Sequence, residues 1–107
     1  MQNGLCLVFG ASGYIGTNLV ARLLRDGRRV RAAARNGKVL KARGWVGVEL
    51  VRADALDAAS LPAALEGVEV AYYLVHSMAA GRDFGRLDLA AARAFAAAAA
   101  QAGVSRI

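Results

Sequence analysis

Two kinds of hydrophobic pattern alternate along the first half of the chain. Leu5–Phe9 is a continuous apolar run, which is typical of a strand buried on both faces of a parallel sheet. After a glycine-rich turn, apolar residues recur at helical spacing as far as Gly27, where we expect the helix to end. Arg29–Ala34 follows as a second strand, and Val48–Arg52, whose residues alternate, as a third. Lys38–Arg43, between these two strands, is predicted to be a short, basic helix.

The second half of the chain continues the alternation. Ser60–Glu66 is predicted to be a short helix, with Pro62 in the first turn, where proline is tolerated. Val70–Val75 is rich in β-branched and aromatic residues and is predicted to be a fourth strand. A long alanine-rich helix, Asp83–Ala102, comes next, and Val104–Ile107 has the pattern of a fifth strand that is just starting.

This alternation predicts one α/β domain with a parallel sheet, because each connection is long enough for a crossover. Right-handed crossovers give a Rossmann-type, doubly wound sheet of strand order 3-2-1-4, with the fifth strand beside the fourth. A complete doubly wound domain continues beyond a fifth strand. We therefore interpret residues 1–107 as the N-terminal part of a longer protein, truncated after the start of that strand.

The turn between the first strand and the first helix carries three glycines, Gly10, Gly13 and Gly16, at G-x-x-G-x-x-G spacing. The first allows a tight turn, the second lets the backbone approach a pyrophosphate, and the third lets the helix pack against the strand. The start of the helix offers free N–H groups and a positive dipole end, and Ser12 can add a hydroxyl donor. Because the turn joins an apolar strand to an amphipathic helix, a dinucleotide site is favoured over a purely structural turn.

The residue that ends the second strand distinguishes NAD from NADP in dinucleotide folds. An acidic residue there holds the ribose hydroxyls of NAD, whereas an arginine accommodates the 2′-phosphate of NADP. This strand ends in Arg35, and no acidic residue occurs between Asp26 and Glu49. Because an arginine fork stacks on adenine and donates two hydrogen bonds to phosphate, we predict NADP(H) in preference to NAD(H). The alternative is that Arg35 is simply a surface residue leaving a strand.

Residues after the third and fourth strands lie at the edge where the cofactor crevice of such a sheet opens. The Asp54 carboxylate is placed to accept a hydrogen bond from the adenine amino group, and Ala55 to line the same pocket. A loop-turn or helix-cap role for Asp54 is the alternative. Val75 and His76 are expected near the ribose and nicotinamide, although a lone loop histidine is more often solvated than catalytic.

Composition and charge narrow the function classes. The net charge is +6, and ten basic residues but only two acidic ones lie between Arg22 and Arg52. Such a segment attracts a nucleic acid, a membrane surface or a dinucleotide phosphate, or forms a solvated arginine-rich surface.

No apolar stretch reaches the ~20 residues of a membrane span. The single cysteine, Cys6, is predicted to be a buried core thiol. Because one cysteine cannot form an internal disulfide, the cytoplasm is the expected compartment. The scattered His, Cys, Asp and Glu residues form no metal-ligand pattern.

The sequence also resembles a known family. LVFGASGYIGTNLVARLLRDG, AAAR at the end of the second strand and RAD after the third are similar to the atypical and extended short-chain dehydrogenase/reductase superfamily, above all to its NmrA-like NAD(P)-binding members. YYLVHSM, then DF and an alanine-rich helix running into AGVSRI, resembles a bacterial subgroup of nucleoside-diphosphate-sugar-epimerase-like proteins. The cofactor contacts that this resemblance implies are Gly10, Ser12, Gly13, Tyr14, Ile15, Arg35, Asp54, Ala55, Val75 and His76.

The resemblance implies no catalytic site in this chain. Reductases of the superfamily use a tyrosine followed four residues later by a lysine, placed after the fifth strand, and neither Tyr72 nor Tyr73 fits that pattern. Three functions stay open: the NADP(H)-binding portion of an oxidoreductase or epimerase-like enzyme, a non-catalytic NADP(H)-binding regulatory or accessory module, and, more remotely, nucleic-acid binding through residues 22–52. The unfinished sheet edge also favours self-association.

Overall fold

Strands and helices alternate along the chain as the hydrophobic pattern predicts. The structure, a computed structural model, describes residues 4–74 and 84–105, with the backbone alone for residues 84–88. The strands are β1 (Leu5–Phe9), β2 (Arg29–Ala34), β3 (Glu49–Arg52) and β4 (Val68–Tyr73). The helices are α1 (Tyr14–Arg25), α2 (Gly37–Ala42), α3 (Leu61–Leu65) and α4 (Phe84–Ala102), and a short 3-10 turn, Ala58–Ser60, precedes α3.

The four strands form one parallel sheet in the order β3-β2-β1-β4. This is the order that right-handed crossovers require, so the predicted Rossmann-type fold is confirmed. All five residues of the central strand β1 are buried, as its continuous apolar run indicates. Since the strands are parallel, their carboxyl ends share one edge of the sheet, and the loops that follow them meet there.

The core lies on both faces of the sheet, because successive residues of a strand point to opposite sides. On one face Phe9 packs in a cluster with residues of α3 and α4, including Phe95. On the other face Val8 packs with residues of α1 and α2, including Val20. Cys6 also lies in this second cluster, and burial raises the pKa of its thiol. No helix in the described part of the chain combines the length and apolar character needed to cross a membrane.

The fourth strand begins at Val68, two residues earlier than predicted from the sequence. The pattern missed this start because the next residue, Glu69, is charged. In the structure Glu69 is an exposed strand residue, and its carboxylate lies 4.0 Å from the Arg28 guanidinium. An irregularity in the register against β1 occurs at the same place. Val75, the predicted last residue of this strand, lies outside the described residues.

The chain that leaves α4 returns to β4. The Ser105 N–H donates to the Glu69 carbonyl at 2.9 Å, so this segment lies beside the strand that the predicted order makes its neighbour. Arg106 and Ile107 lie outside the described residues, and within that description the sheet has four strands. The fifth strand therefore stays a prediction.

Candidate cofactor site

A cavity of about 810 Å³ opens at the carboxyl edge of the sheet, within the size range of small-molecule sites. Its walls come from the glycine turn after β1 and from the ends of the other three strands. The predicted site residues that line it are Gly10, Ser12, Gly13, Tyr14, Ile15, Arg35 and Asp54. The fold thus brings together residues that lie far apart in the sequence.

The glycine turn is anchored at both of its ends. Gly10 has a φ of 99°, a conformation that favours glycine, and its N–H donates to the Ala33 carbonyl of β2 at 2.9 Å. The Ala11 N–H donates to the same carbonyl at 3.1 Å. On the helix side, the Thr17 hydroxyl donates to the Ala11 carbonyl at 3.0 Å. These bonds fix the turn between the sheet and α1.

The other two glycines differ in the space beside them. A Cβ at Gly16 would overlap the Gly10 carbonyl oxygen and lie 2.8 Å from Ala11 Cα, so the packing of α1 on the turn excludes a side chain. A Cβ at Gly13 would lie 3.6 Å from the same oxygen, an ordinary contact, and the Gly13 φ of −77° suits any residue. The fold therefore needs Gly16, whereas the missing side chain at Gly13 leaves room for a ligand at the backbone.

Hydrogen-bond donors are available where α1 begins. The first amide of this region to bond within the helix is that of Thr17, which donates to the Gly13 carbonyl at 2.9 Å. The N–H groups of Tyr14, Ile15 and Gly16 make no hydrogen bond within the described ranges, and the first turn carries no acidic residue. The N-terminal end of the helix dipole is thus open to an anion. The exposed side chains of Tyr14 and Ile15 add apolar surface beside it.

Arg35 brings positive charge to this cavity. Its side chain is exposed and makes no ion pair with a carboxylate of the described chain. Two other arginines of the basic segment, in contrast, are engaged: Arg22 with Asp26 at 3.3 Å, and Arg28 with Glu69. The guanidinium of Arg35 is therefore available to an anionic ligand.

The basic segment 22–52 does not act as a single surface, because Arg31 belongs to the core. The Arg31 Nη1 donates to the carbonyls of Ala64 and Glu66, at 2.7 and 2.8 Å, where α3 ends. Its Nε lies 3.1 Å from Glu49 Oε2 but is not aligned for a hydrogen bond. The sequence pattern missed this role, since it groups Arg31 with the other basic residues.

Arg43 contacts the glycine turn of the site, a role that sequence reasoning did not single out. It is the C-cap of α2, and its Nη2 donates to the Ser12 carbonyl at 2.9 Å. The two residues are 31 positions apart, so no local pattern could indicate this contact. The bond connects α2 directly to the glycine turn.

Asp54 takes part in a loop turn and also lines the cavity. Its Oδ1 accepts the Leu56 N–H at 3.0 Å, and its own N–H donates to the Ser60 hydroxyl oxygen at 3.0 Å. Its Oδ2 makes no hydrogen bond to any described residue. One carboxylate oxygen is therefore committed to the turn that the alternative interpretation proposed, and the other is available to a ligand.

Three of the predicted contacts, Ala55, Val75 and His76, are not among the described residues that line the cavity. Ala55 is buried in the core cluster with α3 and does not line the cavity, whereas Ala53 does. Val75 and His76 lie outside the described residues. The wall at the end of β4 is formed by Tyr73 and the residue that follows it.

Aromatic side chains connect this wall to α4. The Tyr73 ring stacks on Phe9 with ring centroids 5.7 Å apart, and both rings contact Phe95, at 4.7 and 4.8 Å. Phe9 and Tyr73 also line the cavity. Contacts between α4 and the sheet therefore support one wall of the site.

Among curated proteins, the chain is 43% identical over 67 residues to sterol demethylase protein B of Methylococcus capsulatus, covering 63% of this chain and 20% of that protein. It is 36% identical over 113 residues to cinnamoyl-CoA reductase 1 of Oryza sativa subsp. japonica, covering 99% of this chain and 33% of that protein. The chain thus spans between a fifth and a third of the length of these relatives.

A short-chain dehydrogenase/reductase superfamily protein from Agrobacterium tumefaciens, solved with bound NAD, is similar in structure with a TM-score of 0.75 and 29% identity. The similarity covers 94% of this chain and 30% of that one. The profile of the NmrA-like family matches residues 2–107. Since that match extends over nearly the whole sequence, and the fold and the glycine turn agree with it, the chain belongs to the NmrA-like family.

Proposed function

We propose that this chain is the NADP(H)-binding portion of a longer oxidoreductase or epimerase-like protein of the short-chain dehydrogenase/reductase type. The observation that carries the proposal is the glycine turn. Tyr14 and Ile15, whose amides make no hydrogen bond within the described ranges, line the cavity beside a glycine, Gly13, that the fold itself does not require. Backbone amides at a helix start, approached without obstruction by a side chain, suit a pyrophosphate.

The other residues of the cavity fit the remaining parts of a dinucleotide. The Ser12 hydroxyl and the amides of α1 would hold the pyrophosphate, and the available Oδ2 of Asp54 would accept from the adenine amino group. Val75 and His76 stay predicted contacts on the ground of the family resemblance, whereas Ala55, which is buried in the core, is not proposed to touch the cofactor. The Agrobacterium relative contains NAD, which supports a cofactor of this class. When bound, a nicotinamide dinucleotide would supply hydride transfer.

NADP(H) is favoured over NAD(H) because of Arg35. The residue follows β2, lines the cavity and has no ion-pair partner among the described residues. No carboxylate lies at that position to hold a ribose 2′-hydroxyl, and a guanidinium there would instead repay the cost of bringing a 2′-phosphate out of water.

Calorimetric titration of the wild-type chain and of Arg35→Asp with NADPH and NADH tests both parts of the proposal. The wild type should bind NADPH more tightly than NADH. The substitution should lower the affinity for NADPH about a hundredfold, because it removes a charge-assisted contact and adds repulsion. The affinity for NADH should change about threefold or less. Equal losses for the two cofactors would contradict the NADP assignment, and no binding of either by the wild type would refute the cofactor site.

Of the three functions that the sequence leaves open, an enzyme is the one that we favour for the whole protein. The similarity to sterol demethylase protein B and to cinnamoyl-CoA reductase 1 favours an enzyme over an accessory module without chemistry. Nucleic-acid binding is the weakest alternative. Arg31 stabilises the fold, and Trp45, the one aromatic residue of segment 22–52 that could stack on a base, is half-buried against the core. The free, buried thiol of Cys6 agrees with a reducing compartment, so the cytoplasm is the proposed location.

A further inference from the structure

One side-chain bond links α2 to the glycine turn. Arg43 is exposed, and its Nη2 donates to the Ser12 carbonyl at 2.9 Å. The Arg43 side chain makes no ion pair with any carboxylate of the described residues. Within the described residues, the Ser12 carbonyl is therefore the partner that the Arg43 guanidinium binds.

The carbonyl that Arg43 binds belongs to the peptide between Ser12 and Gly13. In a planar trans peptide the C=O and the N–H point in opposite directions. The Gly13 N–H of this peptide donates to the Gly10 carbonyl at 3.2 Å. The peptide is thus held on both sides, by Arg43 at its carbonyl and by Gly10 at its amide.

The orientation of this peptide matters because α1 starts directly after it. Gly13 is the N-cap of α1, and the next two residues, Tyr14 and Ile15, carry amides that make no hydrogen bond within the described ranges. A rotation of the Ser12–Gly13 peptide would change the direction in which the chain enters the helix. It would therefore re-aim these two donors.

We infer that Arg43 is a positioning residue for the pyrophosphate-binding turn, and that it acts by holding the Ser12–Gly13 peptide rather than by binding the 2′-phosphate. This inference rests on the proposed function and deepens it. Since α2 begins two residues after Arg35 and has Arg43 as its C-cap, the bond couples the segment that selects NADP to the turn that binds the pyrophosphate. The two arginines then have separable tasks.

Two fragments of the cofactor separate these tasks. ADP-ribose carries the pyrophosphate without a 2′-phosphate, and adenosine 2′-monophosphate carries that phosphate without the pyrophosphate. Arg43→Ala should lower the affinity for ADP-ribose about three- to tenfold, as expected for the loss of one hydrogen bond. The affinity for adenosine 2′-monophosphate should not change. Arg43→Lys should recover part of the affinity. Arg35→Ala should weaken the binding of adenosine 2′-monophosphate and leave that of ADP-ribose unchanged.

Lys41→Ala is the matched control, because Lys41 is exposed on the same helix, carries the same charge, and its side chain makes no bond or ion pair to a described residue. It should change neither affinity by more than about twofold. Equal losses in Lys41→Ala and Arg43→Ala would mean that only long-range charge matters. A loss confined to adenosine 2′-monophosphate would make Arg43 a phosphate ligand. Either result overturns the inference.

A measurement without ligand keeps the inference distinct from the proposed function. In amide ¹H–¹⁵N spectra, Arg43→Ala should shift the resonances of Gly13 and Tyr14, while Lys41→Ala should leave them in place. An unmoved Gly13 resonance would overturn the positioning role. If the wild-type chain bound none of the nucleotides, the proposed function would fail, and these spectra would still decide whether Arg43 orients the turn.

Discussion

Gly13 and Gly16 lack a side chain for different physical reasons, although they look equivalent in the glycine spacing of the sequence. The Gly10 carbonyl oxygen and Ala11 Cα occupy the place that a Gly16 Cβ would need. At Gly13 the same oxygen lies at an ordinary contact distance, and the backbone is extended. One glycine therefore serves the packing of α1 on the turn, and the other keeps open the approach to the helix amides.

This difference predicts opposite effects of two alanine substitutions. Gly16→Ala should lower the free energy of unfolding by about 1–3 kcal/mol, because the turn must move to accept the methyl group. Gly13→Ala should keep or slightly raise stability, since alanine fits the backbone and restricts the unfolded chain. It should nevertheless lower the affinity for NADPH at least tenfold, because the methyl group would occupy the space through which the phosphate reaches the backbone. Urea unfolding and calorimetric titration measure the two effects, and unchanged NADPH affinity in Gly13→Ala would contradict the site.

At the scale of the elements, α3 illustrates how a short helix is held by a distant residue. Five residues form too few internal hydrogen bonds for an independent helix. Arg31 of β2 satisfies the carbonyls at the end of α3, and Glu49 of β3 balances its charge from a side chain that is half exposed. The buried arginine thus connects two strands to a helix on one face of the sheet.

Replacing this arginine should cost stability without affecting the cofactor site. Arg31→Met keeps much of the side-chain volume but leaves the buried Ala64 carbonyl and the part-buried Glu66 carbonyl without this donor, so it should lower the free energy of unfolding by about 1–3 kcal/mol. Arg29→Met is the control, since Arg29 is exposed on the same strand and its side chain makes no bond to a described residue. Equal shifts in the urea midpoint for the two variants would contradict the role of Arg31, as would a loss of NADPH affinity in Arg31→Met.

Local patterns predicted the elements well but not the contacts between them. Strand and helix bounds agree within one or two residues, because periodicity follows directly from which face of an element is buried. The predicted start of β4 was wrong because Glu69, a charged residue, lies in an exposed strand position. The bonds of Arg43 to Ser12 and of Arg31 to Ala64 join residues 31 and 33 positions apart. Such pairs depend on how the elements pack, which a single sequence does not reveal.

At the scale of the whole molecule, the two outer strands of the sheet differ. The edge strand β3 has only four residues, with the charged Glu49 and Arg52 at its ends, a pattern that discourages pairing with another strand. The strand β4 has six residues and binds β1 along one side. Beside it, the described chain after α4 contributes the single bond from Ser105 to the Glu69 carbonyl. Residues 1–107 alone should therefore associate through β4, beside which the sequence pattern predicts a fifth strand.

Hydrogen exchange at two protein concentrations tests this expectation, with β3 as the internal reference. Sedimentation velocity should show association of residues 1–107 as the concentration rises, and the amides of β4 should then exchange more slowly while those of β3 do not change. Association that protects β3 instead would assign the contact to the other edge, and a monomer at every concentration would contradict the predicted association. A longer form of the protein that supplies the fifth strand should lose this association, because its own backbone would then occupy the hydrogen-bonding groups of β4.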